Sequence, residues 1–205
     1  MGQVAAIRTP SDAATMAGVL VDAYRQATLR EPPARSSWML PLAQSAFETA
    51  AWTAMWNNNV GNITHVEGDT FDWMYIGAHS GAGAAGQLRF RSYPSLGAGA
   101  FNLMRWLIAH HVLSHADAGD LAGYVQALQA SCYAGCDAAV YPQYRAGMTR
   151  YVTKFADVEP IDYGGPEPPK PNAPIARTTR GAVALVAGVF AVVLGVAAVV
   201  HRGNA

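Results

Sequence analysis

Trp38-Met39-Leu40-Pro41-Leu42-Ala43-Gln44-Ser45-Ala46-Phe47-Glu48-Thr49-Ala50-Ala51-Trp52 holds one carboxylate in an otherwise uncharged, largely apolar run, and Asn57-Asn58-Asn59-Val60-Gly61-Asn62-Ile63-Thr64 follows closely. The first stretch reads as a helix, with Ser37 placed to cap it and Pro41 tolerated because it falls in the first turn. The second reads as an Asn/Gly turn, since both residue types accept left-handed backbone. A carboxyl among Trp, Phe and Leu loses hydration of its charged form. Glu48 is therefore expected to titrate above the ordinary carboxylate range and to hold a proton near neutral pH. The competing expectation is a helical glutamate whose charge sits in water or pairs with a nearby base.

Working outward, most of the chain reads as helix. Ser11 can cap a first helix in which Met16, Val19, Leu20, Ala23 and Ala27 share a face, before Pro32-Pro33 stops it. Ser95 to Leu113, Asp120 to Ala130 and Pro142 to Phe155 repeat apolar residues three and four apart and are expected as further helices. Between Thr64 and Phe90, glycines and aromatics replace that period and leave room for a small hairpin or flap. The expected fold class is mainly α. With 205 residues, 51% hydrophobic and 14% charged, there is core enough for one ordinary domain and its appendages. Residues 1–156 are assigned to that domain, and no internal repeat is seen.

Part of the hydrophobic excess is concentrated at the C-terminal end. Ala182 to Val200 is nineteen residues without a charge, long enough as a helix to span roughly 28 Å, close to a bilayer's hydrocarbon thickness. It is expected to be a single transmembrane helix, with residues 201–205 as a tail. Residues 157–181 hold six of the twelve prolines, and such density favours an extended stalk of up to roughly 60 Å. Met1 to Pro10 lacks a basic region followed by an apolar core, so no secretory signal peptide is expected. The protein is expected to be single-pass, anchored by its tail in a virion membrane or a bacterial envelope. Arg177 and Arg180 before the anchor, against His201 and Arg202 after it, vote for placing the N-terminal domain in the cytoplasm.

Other constellations exclude more than they assign. The formal net charge is zero and the basic residues are scattered, which leaves no footprint for nucleic acid. His111 and His115 would share a helix face, but Val112 stands where the zinc-protease pattern needs Glu, so surface or capping histidines are expected. Cys132 and Cys136 match neither a redox C-x-x-C nor a four-ligand zinc site. A local disulfide and two free thiols both remain open. The glycine-rich run at 77–86 lacks the Lys-Ser/Thr ending of a phosphate-binding loop. No metal and no cofactor are expected.

Three stretches in order carry a resemblance. Ala43, Gln44, Glu48 and Thr49, running into Asn58 to Ile63, resemble the catalytic helix and turn of bacterial and phage endo-β-N-acetylglucosaminidases, the flagellar-rod and autolysin type within the lysozyme-like superfamily. Phe90-Arg91-Ser92-Tyr93-Pro94-Ser95 is similar to the family's lead into its next helix. Cys132-Tyr133-Ala134, with Tyr141-Pro142-Gln143-Tyr144, is similar to its Tyr-Ala segment. Together they span residues 35–155 or so. Two departures stand out: Ala50-Ala51-Trp52 replaces the family's Gly-Trp after the Glu-Ser/Thr pair, and residues 77–86 lack the acid that many members carry in a flexible hairpin.

The resemblance implies a lysozyme-like helical domain that cleaves the glycan strand of peptidoglycan, as a glucosaminidase, muramidase or lytic transglycosylase. Glu48 would protonate the leaving glycosidic oxygen, and Tyr133 would line the cleft opposite it. Glu67, Asp69 and Asp72 are the candidate second acids. The substrate's own acetamido group, or an attacking sugar hydroxyl, would replace them if none serves. Asn59, Asn62, Trp52 and Tyr93 are the candidate substrate-binding residues. The implied partners are peptidoglycan glycan strands and, through residues 182–200, a lipid bilayer. A wall substrate conflicts with a cytoplasmic domain, and carriage in a virion membrane to the next host's wall would resolve the conflict. Two further readings are a glycan-binding module without turnover and a structural membrane-anchored protein.

Overall fold

The apolar face of Met16, Val19, Leu20 and Ala23 forms the buried side of helix α1 (Ala13–Thr28) in a computed structural model that describes residues 1–76 and 88–164. Its cap is Asp12, whose Oδ1 accepts from Thr15 N at 2.9 Å. Ser11, the expected cap, stands one residue too early, and its hydroxyl is buried without a partner. The quoted stretch is helix α2 (Ser36–Glu48). It starts before Ser37, which reaches back to accept from Ala34 N at 3.4 Å. Pro41 consequently falls in the second turn rather than the first, and withholds the N–H that would bond Ser37's carbonyl.

Helix α3 (Leu96–Ala109) is capped by Ser95 but ends short of the expected Leu113, because His111 takes a left-handed φ of 61° and turns the chain into a separate short helix, α4 (Leu113–Asp117). Helix α5 (Leu121–Ala130) is capped by Asp120, and a 3₁₀ turn at Ala138–Val140 leads into α6 (Tyr141–Lys154). The aromatic-rich region contains the expected hairpin strands: β1 (Asp72–Tyr75) pairs antiparallel with β2 (Arg89–Ser92), Trp73 opposite Arg91 and Met74 opposite Phe90. Near the N-terminus, Val4 N donates to Trp73 O at 2.8 Å on the outer side of β1. Residues 77–87, which join the strands, lie outside the described residues.

Helix α2 runs through the centre, packed by α1, α4 and α6, while α3 lies on α1. Met16, Leu20, Leu42, Met55, Leu103 and Leu107 are fully buried between them. Two glycines let the site's walls close. A Cβ on Gly147 would sit 2.1 Å from the Phe47 ring, so α6 can lie against the end of α2 only as glycine allows. A Cβ on Gly99 would meet Asn58 O at 1.9 Å, which fixes how closely α3 approaches the Asn turn.

The Asn turn is a hub of side-chain amides rather than a loose loop. Asn58 Nδ2 donates to Tyr93 O at 3.0 Å, and Asn59 Nδ2 donates to Ile63 O and Arg91 O at 2.9 and 3.0 Å. Beyond α6, residues 157–164 fold onto the domain instead of leaving it at once. Ile161 N donates to Ala14 O at 3.4 Å, and Arg35 donates to Ala156 O, Val158 O and Glu159. The remainder of the proline-rich stretch and the run 182–200 lie outside the described residues, among which no helix is long and apolar enough to cross a membrane.

Candidate active site

Glu48 is the last residue of α2, where helix carbonyls project and a second negative charge is disfavoured. Asn62 Nδ2 donates to Glu48's own carbonyl at 2.6 Å and so holds the Asn turn against the helix end. Across from it, the Tyr144 hydroxyl donates to Glu48 Oε1 at 2.7 Å. Tyr144 is fully buried on α6 and meets the edge of Phe47, ring centroids 4.9 Å apart. Protein crowds the carboxyl although the residue keeps some open surface. Burial pushes Glu48 up to about 7, and the Tyr144 hydrogen bond, which favours the charged form, opposes it. No charged group among the described residues contributes.

Tyr133 is partly covered, donates its hydroxyl to Gly61 O, and sets its ring on Trp106, centroids 4.6 Å apart and near perpendicular. A Cβ on Gly61 would lie 2.7 Å from the Tyr133 oxygen, so glycine is required for this approach. The charge of Glu48 helps hold the Tyr133 hydroxyl well above its ordinary range, after burial as the main cause. Tyr133 meets Gly61 and Glu48 meets Asn62, so the two groups bracket the same point of the Asn turn. Cys132 and Cys136 are joined as a disulfide across the turn that carries Tyr133, which settles the pairing left open by their spacing.

The remaining candidates are placed differently. Trp52 is buried, its Nε1 donating to Ser45 Oγ at 2.9 Å and its ring stacked on Phe155. Tyr93 is buried with its hydroxyl on Asn102 Oδ1 at 2.6 Å, and Asn59 is buried with its amide spent on backbone. These three stand inside the protein and support the turn. Asn62 alone of the four keeps open surface. The Asp69 side chain is 1% exposed and bonded through both oxygens to Arg91, at 2.8 and 2.9 Å. Asp72, at the start of β1, is exposed and accepts from Gly2 N at 2.9 Å, and Glu67 is exposed in the turn before β1.

The site's missed member is Tyr144. Its signal was its place in Tyr141-Pro142-Gln143-Tyr144, but nothing local says which aromatic of that group turns toward a residue on another helix. His111 precedes α4 rather than lying in it, so it shares no helix face with His115, which pairs with Asp120 at 3.1 Å. Among the described residues no cluster of His, Cys, Asp or Glu could hold a metal ion. A groove of about 640 Å³ opens between α1, Pro32–Trp38 and residues 159–162, and Glu48 does not line it. Chemistry, not volume, marks the site.

No family model and no curated protein matches this chain. Solved structures that resemble it include the glycoside hydrolase domain of FlgJ from Salmonella typhimurium, 17% identical, covering 71% of this chain and 89% of that one with a TM-score of 0.47. A C-terminally truncated form of the same domain is 17% identical and covers 72% and 100%, with a TM-score of 0.48. At TM-scores this low the likeness carries no weight for function, and the site's own geometry has to.

Proposed function

We propose that this chain cleaves the glycan strand of peptidoglycan, with Glu48 as the acid that protonates the leaving glycosidic oxygen. The observation that carries the reading is a carboxyl at the end of α2 that titrates at about 7 with one oxygen held by Tyr144. Oε1 accepts the tyrosine's hydrogen, so the transferable proton belongs on Oε2. General acid catalysis works best with a group poised near the working pH. The order of the three sequence landmarks supports a glycan as substrate.

Of the candidate bases, Asp69 is committed to Arg91. Glu67 or Asp72, the substrate's acetamido group, or a sugar hydroxyl as in transglycosylation would complete the reaction. With Asp69 held by Arg91 and Asp72 accepting from Gly2 N, the last two are favoured, and the same commitments favour a glycan-binding module without turnover. The tether belongs to the same reading: residues 182–200 would anchor the domain in a virion membrane or a bacterial envelope.

The test is a zymogram of the full chain in detergent, with mass spectrometry of the released fragments. Clearing by the wild type and a loss of roughly 10²-fold or more in Glu48→Gln is expected. The pH profile should carry an alkaline limb near 7, moved upward in Tyr144→Phe because the bond that favours the charged carboxylate is gone. Anhydro-sugar ends would identify transglycosylation, and glycan binding without fragments would leave the binding module.

A further inference from the structure

Gln44 lies one turn before Glu48 on the buried face of α2 and has no exposed surface. Its Oε1 accepts from the Tyr124 hydroxyl, while its Nε2 is buried without a hydrogen-bond partner. An orphaned amide donor in a core is costly and rare. Tyr133's hydroxyl lies close enough for the Gln44 amide to favour its charged form. Tyr133 has already spent its proton on Gly61 O, which as a carbonyl can only accept. Its oxygen therefore has lone pairs to offer and no hydrogen to give. With Tyr124 donating to Oε1, Nε2 is the end of the amide left to serve the Tyr133 oxygen.

We infer that Gln44 is a positioning residue, donating through Nε2 to Tyr133 so that Tyr133 presents a lone pair to the cleft beside Glu48. The inference rests on the proposed glycan cleavage. It divides the labour of the two tyrosines: Tyr144 donates to Glu48, whereas Tyr133 serves as an acceptor, suited to steadying positive charge at a sugar ring. Tyr133 does not protonate anything in this arrangement.

The experiment is a double-mutant cycle on the full chain, with Gln44→Met, Tyr133→Phe and the pair, read both in turnover and in thermal stability. Gln44→Met is expected to lower kcat about tenfold with KM within twofold, and to add nothing further once Tyr133 is Phe. Additive losses in kcat would overturn the inference, since Gln44 would then act without Tyr133. If Gln44→Met fails to fold, Tyr124→Phe replaces it in the same cycle. That change frees the amide's orientation, and a loss absent from the Tyr133→Phe background supports the inference while an independent one overturns it. A wild-type chain no faster than Glu48→Gln would instead sink the functional reading, and the positioning role with it.

Discussion

Glu48 binds its proton more tightly in the folded chain than in the unfolded one, because burial disfavours its charge. Its folded value lies above its unfolded one, so its contribution to stability is complete below about 4.5 and is lost as pH rises through about 7. At about 1.4 kcal/mol per pKa unit this amounts to at most roughly 3 kcal/mol, less the screening that its open surface allows. Glu48→Gln carries no such proton. Urea denaturation at about pH 5 and about pH 8 should therefore show the wild type weakening and the variant nearly level, so that the variant becomes the more stable protein on the alkaline side. Parallel behaviour of the two would mean the carboxyl is hydrated in the folded state. Glu48's character was legible in the sequence because its neighbours are apolar, and burial follows from composition along one helix. Tyr144 was not, because its hydroxyl reaches Glu48 across a separation of 96 residues. Trp52, Asn59 and Tyr93 are buried rather than turned to a substrate, because an aromatic or an amide beside a cleft residue in sequence carries no sign of which way it faces.

At the scale of elements, the end of α2 is the unusual piece. Ala50, Ala51 and Trp52 hold φ values of 50°, 51° and 63° in succession, none of them glycine. Left-handed backbone costs an L-residue roughly 1–2 kcal/mol. What holds it is the packing on either side: Ala51 N donates to Ala46 O at 2.7 Å, and Trp52 is locked between Ser45 and Phe155. Ala50 lies at the edge of this turn with partial exposure. Ala50→Gly should raise stability by about 1 kcal/mol, the relief of strain exceeding glycine's greater freedom in the unfolded chain. A lower denaturation midpoint would show that the methyl packs more than it strains. The departure from Gly-Trp at this place was visible in the sequence, but its cost was not, since alanine carries no left-handed signal. Helices were legible from their period and the hairpin from its change of period. Their ends were less so: α3 stops early at a histidine turned left-handed, and α1 takes Asp12 rather than Ser11 because a cap is chosen by position to within one residue.

At the scale of the whole molecule, residues just past 157 pack on the helices. Proline density placed the boundary at residue 157, yet Val158 and Tyr163 pack on the core and Ile161 O lies where a Cβ on Gly18 would be only 2.0 Å away. Arg35 ties this strap down through two backbone carbonyls and Glu159, with its guanidinium 4.8 Å from the Trp38 ring centre. The described residues as far as Gly164 therefore pack with the domain, and the proposed tether would begin after them. Three chain lengths test this together with the anchor. The full chain should partition into detergent through residues 182–200, whereas a chain ending at Gly164 should stay in the aqueous phase with full stability. A chain ending at Asp157 should also stay aqueous but lose about 1–3 kcal/mol, the partial burial of Val158 and Tyr163. Equal partitioning of the full chain and the Gly164 form would remove the membrane anchor. Equal denaturation midpoints for the two short forms would return the boundary to residue 157, and make the strap a contact that contributes nothing to holding the helices around Glu48.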